Sequence, residues 1–69
     1  MTLREVLAEN LKRYRLAAGM SQEELAHSAK IDRTYVSSLE RLQYAATVDV
    51  IEKLALALGI DAAELLKLP

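Results

Sequence analysis

The chain has 69 residues, with nine Lys and Arg, ten Asp and Glu, one His and no Cys. A chain of this length forms a single domain, residues 1–69, and buries only about 60% of its unfolded surface. The absence of Cys excludes disulfides and thiolate metal sites and fits a reducing, cytoplasmic environment. One His cannot build a metal site, and no apolar run approaches the roughly 20 residues of a membrane span. We therefore expect a cytoplasmic protein that uses no metal, no cofactor and no membrane.

The first predicted helix begins after Thr2. Thr2 and Glu5 have the spacing of a capping box, in which each side chain accepts the backbone N–H of the other residue. Gly19 can take the left-handed conformation that commonly ends a helix. Between these ends, apolar residues recur at spacings of three and four, which predicts one buried face. That face consists of Leu3, Leu7, Leu11, Tyr14 and Ala18.

Two short helices follow, joined by a tight turn at Lys30-Ile31. Ser21 and Glu24 form a second capping box, and Asp32 can cap the next helix, which we expect to reach Arg41. Helices of about eight and nine residues are too short to be stable alone, so they must pack on the rest of the chain. The expected inward residues are Leu25, Ala26, Ala29, Tyr35, Val36 and Leu39. The expected outward residues of the second of these helices are Arg33, Thr34, Ser37, Ser38 and Arg41.

The remaining third of the chain predicts two more helices. Thr47 can cap a helix over residues 48–58, which Gly59 ends. Asp61 and Glu64 have capping-box spacing ahead of a last short helix that runs through Lys67, after which Pro69 closes the chain. Because all connections are short, the fold class is all-α, a compact five-helix bundle that contains a helix-turn-helix. The expected inward residues of the fourth helix are Val50, Ile51, Leu54, Ala55 and Leu58.

Charge is unevenly distributed along the chain. Residues 10–47 carry six Lys and Arg against four acids, whereas residues 48–69 carry two Lys against four acids. Proteins that bind nucleic acid are usually basic because they neutralise phosphates. The formal net charge of −1 does not fit that rule, but the positive half of the chain is the half that contains the helix-turn-helix.

Three stretches carry a resemblance to the phage-repressor and Cro-like (XRE-type) helix-turn-helix family. They read GMSQEELA at 19–26, IDRTYVSSLER at 31–41 and VDVIEKLALALGI at 48–60. The likeness covers about residues 7–66, and its motifs occur in register. The second stretch is also similar to the small controller proteins of restriction–modification systems. The resemblance implies a DNA-binding transcription regulator that places its third helix in the major groove of double-stranded DNA.

The resemblance also implies residue roles. Gln22 matches a residue that braces a DNA phosphate, and Arg33 and Thr34 match residues that read base edges. Arg15 and Glu40 match a charged pair that ties the first helix to the third. An Arg can donate two parallel bonds to guanine, so Arg33 is the expected specificity residue. The full set of expected DNA-binding residues is Gln22, Arg33, Thr34, Tyr35, Ser37, Ser38, Arg41, Gln43 and Tyr44.

The chain departs from the family pattern in two places. Lys30 stands where the turn usually has Gly, so either a residue with a side chain adopts the turn conformation or the turn differs slightly from the family's. Residues 42–46 replace a familiar basic, Gly-containing loop, and Gln43 and Tyr44 can donate to a phosphate there without carrying charge. The residues expected to contact DNA can also be surface residues without a function. Arg33 can be a solvated side chain near Asp32, and Thr34, Ser37 and Ser38 can be ordinary residues of a helix surface.

The apolar residues near the C-terminal end predict a homodimer. Leu56 falls on the polar face of the fourth helix, and further leucines add more apolar surface than one small core needs, although single exposed apolar residues are normal. A dimer would read two half-sites about 34 Å apart. The expected interface residues are Leu42, Leu56, Leu65 and Leu68.

Catalysis is not expected. The sequence lacks a nucleophile with a base, a carboxylate pair or a metal set at convincing spacing, and His27 is expected to be a solvated surface residue. The alternative to a DNA-binding regulator is an antitoxin-like or adaptor module, in which the acidic C-terminal half grips a protein partner and DNA binding is secondary.

Overall fold

The computed structural model describes residues 1–68, and Pro69, which the sequence analysis places at the end of the chain, lies outside them. The described residues form five helices and no strand, which confirms the predicted all-α class. The bundle measures 28 × 22 × 20 Å. Its helices are α1 (Leu3–Ala17), α2 (Gln22–Ala29), α3 (Arg33–Glu40), α4 (Val48–Leu58) and α5 (Ala62–Leu65).

The starts of α1 and α2 are set by the two predicted capping boxes. The backbone N–H of Glu5 donates to Thr2 Oγ1 at 3.2 Å, and the Thr2 N–H donates to Glu5 Oε1 at 2.8 Å. The corresponding distances between Ser21 and Glu24 are 3.0 and 2.8 Å. Both boxes satisfy backbone donors that the first helical turn leaves free.

Four helix ends use the left-handed backbone conformation, at Gly19, Lys30, Leu42 and Gly59. Gly19 and Gly59 take φ values of +71° and +69° after α1 and α4. Lys30 takes φ +59° after α2, so it adopts the turn conformation in spite of its side chain, which is the first of the two alternatives that the sequence leaves open. A residue with a Cβ pays a steric cost there that Gly does not.

The core lies where the helix-turn-helix meets the other three helices. α2 contacts both α3 and α4, α1 contacts α3 and α5, and α4 contacts α5. Burying these apolar faces stabilises helices that are too short to persist alone. The buried apolar residues of this cluster are Leu7, Leu11, Leu25, Ala26, Ala29, Val36, Leu39, Leu54, Ala55 and Leu65.

The predicted buried face of α1 is wrong at both of its ends. Leu3 is the first residue of α1 and lines an open, shallow apolar groove beside Ile51, so it is 61% exposed. Ala18 is exposed because it is the C-cap of α1 and follows the last residue of the packed face. Val6 is buried instead.

The C-terminal segment also differs from the prediction. α5 ends at Leu65 rather than at Lys67, and Glu64 does not close a capping box. Asp61 alone caps the helix by accepting the Ala63 N–H at 3.2 Å. The Glu64 carboxylate instead accepts the Tyr14 hydroxyl at 3.3 Å, so it joins α5 to α1.

Asn10 anchors the C-terminal end of α5, a role that the sequence does not predict. Its fully buried amide nitrogen donates to the carbonyl oxygens of Leu65 and Lys67 at 3.0 and 2.8 Å, and its Oδ1 accepts Arg13 Nη2 at 3.0 Å. These bonds satisfy carbonyls that the short helix leaves free. The spacing along α1 could have indicated that Asn10 is buried, since it lies three residues after Leu7 and so falls on the buried face.

Candidate nucleic-acid interface

The turn between α2 and α3 presents the start of α3 to solvent. The left-handed backbone of Lys30 reverses the chain, and the Ile31 N–H donates to the Ala26 carbonyl at 3.0 Å. The Asp32 carboxylate then accepts the Thr34 N–H at 2.7 Å, which caps α3. That backbone bond lowers the pKa of Asp32 below its ordinary value. Arg33 therefore stands exposed on the first turn of α3.

A shallow polar depression of about 660 Å³ lies between the N-terminal turn of α2 and the outward face of α3. Five of the nine residues expected to bind DNA line this depression. They come from the start of α2, from α3 and from the C-cap of α3, and they are Gln22, Arg33, Thr34, Ser37 and Arg41. A guanidinium at each end of α3, Arg33 and Arg41, gives it a basic character. Its lining is Arg15, Ser21, Gln22, Glu23, Arg33, Thr34, Ser37 and Arg41.

Arg33 forms an exposed ion pair with Glu23 of α2. Its Nη1 donates to Glu23 Oε2 at 3.2 Å, and both side chains remain mostly exposed. Among the described residues that line the depression, Glu23 is the one acid. Sequence reasoning missed this contact because no pattern links residues ten positions apart on different helices.

A buried ion pair lies behind the depression. Arg15 Nε donates to Glu40 Oε2 at 2.7 Å, and Arg15 Nη2 donates to Glu40 Oε1 at 3.0 Å. The bonds from Arg15 to Glu40 raise the pKa of Arg15 above its ordinary value. This is the pairing that the family resemblance implies. Arg15 Nη1 also donates to the Met20 carbonyl at 2.9 Å, so the same side chain fixes the segment that leads into α2.

Gln22 joins this pair rather than standing free. Its Nε2 donates to Glu40 Oε1 at 3.1 Å, so the first residue of α2 is tied to the last residue of α3. The amide is partly buried and lines the depression. Three helices, α1, α2 and α3, therefore meet at the Glu40 carboxylate.

The loop after α3 packs on Tyr35. The rings of Tyr35 and Tyr44 lie edge to face with centroids 5.9 Å apart, and the Tyr35 hydroxyl donates to the Ala45 carbonyl at 3.5 Å. Leu42 turns the chain with φ +62°, and the Gln43 N–H donates to the Ser38 carbonyl at 2.8 Å. Gln43 and Tyr44 are exposed, but they lie outside the lining of the depression.

Two predicted positions are wrong. The sequence predicts that Ser38 faces outward, but it is 4% exposed, because it lies one turn after Tyr35, which packs against the core, and next to the buried Leu39. Leu65 was expected in a dimer interface, but it is fully buried in the core under the Asn10 contact. Leu42, Leu56 and Leu68 are exposed.

Within residues 1–68, no three His, Cys, Asp or Glu side chains come together as a metal site requires. None of the five helices in that range has the length and apolar character to cross a membrane.

Comparisons with known proteins agree with this geometry. A family model described as helix-turn-helix matches residues 11–65. A hypothetical transcription factor of Neisseria meningitidis is 49% identical over 67 residues, which is 97% of this chain but 63% of the relative's length. The control protein C.SmaI of Serratia marcescens is 39% identical over 66 residues, 96% of this chain and 79% of that protein.

Two solved structures are similar throughout. The hypothetical transcription factor NHTF from Neisseria superposes with a TM-score of 0.96 at 48% identity, over 99% of this chain and 78% of that one. The restriction–modification controller protein C.AhdI of Aeromonas hydrophila superposes with a TM-score of 0.87 at 40% identity, over 90% of this chain and 94% of that one.

Proposed function

The chain belongs to the helix-turn-helix family of DNA-binding transcription regulators, and on that premise we propose that it binds a specific, two-fold-symmetric operator as a homodimer. In the proposed complex α3 of each subunit enters the major groove of double-stranded DNA. The observation that carries the proposal is the polar depression, which gathers Gln22, Arg33, Thr34, Ser37 and Arg41 on one exposed face.

Base reading is assigned to the first turn of α3. Arg33 is exposed and can donate two parallel bonds to O6 and N7 of a guanine, and Thr34 can place its methyl group on a thymine. Arg41 and Ser37 lie one or two turns further along the same face and would contact phosphates or sugars, which set register without reading sequence. Ser38 is left out because it is buried.

Gln22 has two roles in this proposal. Its amide donates to Glu40 at 3.1 Å and is only partly buried, so its remaining N–H can donate to a phosphate. The first turn of α2 would add to this site, because a helix N-terminus favours anions. Tyr35 would act indirectly, by packing against the loop after α3. Gln43 and Tyr44 in that loop would offer uncharged hydrogen-bond donors to a phosphate.

The homodimer is proposed from α4 and the start of α5. Leu56 is 83% exposed and lines a depression with Ile60 and Ala62, rimmed by Glu52, Lys53 and Asp61. A two-fold interface needs a patch that is complementary to itself, and a patch with an apolar centre and charges of both signs meets that need. Leu68 is also exposed, whereas Leu65 is excluded by its burial.

The test of the DNA-binding proposal is Arg33→Ala against Arg4→Ala. Both variants lose one exposed guanidinium, but Arg4 lies on the first turn of α1, away from the depression. We expect Arg33→Ala to lose about 1–3 kcal/mol of discrimination for the guanine-containing operator, whereas Arg4→Ala keeps it. Arg33→Ala with unchanged operator preference would contradict the proposal and favour the partner-binding alternative.

The dimer has its own test. Sedimentation of the protein without DNA, at tens of micromolar, should give a dimer, and Leu56→Glu should give a monomer because it places two carboxylates against each other at the two-fold axis. A wild-type monomer under these conditions would contradict the dimer while leaving the DNA-binding test unaffected.

A further inference from the structure

Glu23 accepts one hydrogen bond from the guanidinium of Arg33. Arg33 Nη1 lies 3.2 Å from Glu23 Oε2, across the gap between the first turns of α2 and α3. A guanidinium carries five N–H donors in a planar fork. Among the hydrogen bonds of residues 1–68, Arg33 makes one through its side chain, from Nη1 to Glu23, and its Nε and Nη2 donate to no protein group.

The other acids near this face are already engaged elsewhere. Glu24 points back to the Ser21 N–H in the capping box, and Glu40 is bonded to Arg15 and Gln22. Asp32, next to Arg33 in the chain, caps α3 by accepting the Thr34 N–H. Glu23 makes neither kind of contact. A carboxylate on a surface that meets phosphates weakens DNA binding by repulsion.

We propose that Glu23 is a positioning residue for specificity, which orients Arg33 so that its free Nε–Nη2 edge meets the O6–N7 edge of one guanine. This inference rests on the proposed function, since it requires Arg33 to read a base. Fixing the side chain before binding removes part of the entropy that an unrestrained Arg loses when it binds. A restrained Arg33 is also less able to swing to a phosphate at a wrong sequence.

Removing Glu23 should change both the overall affinity for DNA and the discrimination between sequences. Losing the carboxylate removes repulsion at every sequence, so all duplexes should bind more tightly. Losing the contact releases Arg33, so the advantage of the guanine site should shrink by roughly two- to tenfold, the size expected from freeing one long side chain. A charge effect alone would leave the ratio of affinities unchanged.

The experiment uses the duplex that the wild-type protein selects from a random pool, and the same duplex with the Arg33-dependent guanine replaced. Glu23→Ala removes both the charge and the acceptor, and Glu23→Gln keeps an acceptor for Arg33. Glu9→Ala is the matched control, since Glu9 is an exposed acid on α1 away from the depression. The dissociation constants of both duplexes are measured for each variant.

We expect the ratio of the two constants to fall two- to tenfold in Glu23→Ala, to fall less in Glu23→Gln, and to stay at the wild-type value in Glu9→Ala. In the free protein, ¹⁵N relaxation of the Arg33 Nε–H group should report greater motion in Glu23→Ala. An unchanged ratio together with unchanged motion overturns the inference. If Arg33→Ala itself leaves the ratio unchanged, the base-reading role of Arg33 fails first, so the two failures are distinguishable.

Discussion

Arg15 and Glu40 hold α1 against the end of α3 through two parallel hydrogen bonds, at 2.7 and 3.0 Å. Their side chains are only 9% and 5% exposed. A paired charge is tolerable at such a site, whereas a single one is costly. Because Gln22 donates to the same carboxylate, this pair fixes the angle between the two helices that form the depression.

Removing one partner of this pair should therefore cost more than removing both. We expect Glu40→Ala to lower the free energy of unfolding by about 3–5 kcal/mol, since it leaves the Arg15 guanidinium buried without its partner. The double replacement Arg15→Met with Glu40→Leu should lose much less, because no charge remains. Urea unfolding followed by circular dichroism measures both, and a double variant less stable than Glu40→Ala would contradict this account.

Asn10 should anchor the C-terminal turn. Asn10→Ala leaves the Leu65 and Lys67 carbonyls without their donor, and an unsatisfied buried polar group costs about 1–3 kcal/mol. Amide exchange of residues 62–66 should accelerate. Arg13→Ala is the matched control, because it removes the bond to Asn10 Oδ1 but keeps both bonds to the carbonyls. Equal effects of the two variants on α5 would argue against the anchor.

Lys30→Gly should stabilise the protein. Lys30 has φ +59°, a conformation that Gly adopts without steric cost, and part of that gain is offset by the greater freedom of Gly in the unfolded chain. We expect a net gain of about 0.5–1 kcal/mol in unfolding free energy. Lys12→Gly in the middle of α1 should instead lose about 1 kcal/mol. A loss of stability in Lys30→Gly would show that the Lys30 side chain contributes to the turn.

Acid should destabilise the protein through its capping carboxylates. Backbone N–H groups donate to Glu5, Glu24 and Asp32 and lower the pKa of each carboxyl from ordinary values of 4.5, 4.5 and 3.8. The unfolded chain then binds more protons than the folded chain in this range. The stabilisation is therefore complete above these ordinary values and is lost as the pH falls through the lowered folded-state pKa values.

The variant Glu24→Gln with Asp32→Asn tests this pH dependence. Gln and Asn can still cap helices but do not titrate. We expect the variant to lose less unfolding free energy than the wild-type protein between about pH 5 and about pH 2. Parallel losses in urea titrations across that range would contradict the assignment.

Local sequence signals predicted the helices well because caps act over three or four residues. Ser21 with Glu24 and the left-handed Lys30 define α2 without reference to the rest of the chain. The burial of individual residues is harder to predict, because periodicity identifies the buried face of a helix but not where along the helix and around its circumference that face ends. Ser38 and Leu3 were assigned to the wrong side for that reason.

In the candidate DNA-binding site too, the sequence predicts which residues take part but not how residues on different helices contact each other. The resemblance named residues on α3, and the structure brings Arg33, Thr34 and Ser37 together with Gln22 from α2. The contact of Glu23 with Arg33 and the Tyr35–Tyr44 packing depend on how the helices are juxtaposed. No spacing rule links residues on different elements, so those contacts required the fold.

The most direct test of the account is selection of binding sites from a random duplex pool, followed by titration of the selected duplex across salt concentrations. We expect a two-fold-symmetric site whose half-sites are centred about 34 Å apart, bound with an affinity that falls steeply as salt rises. If no sequence is enriched and binding stays weak even at low salt, the central claim of operator recognition is contradicted.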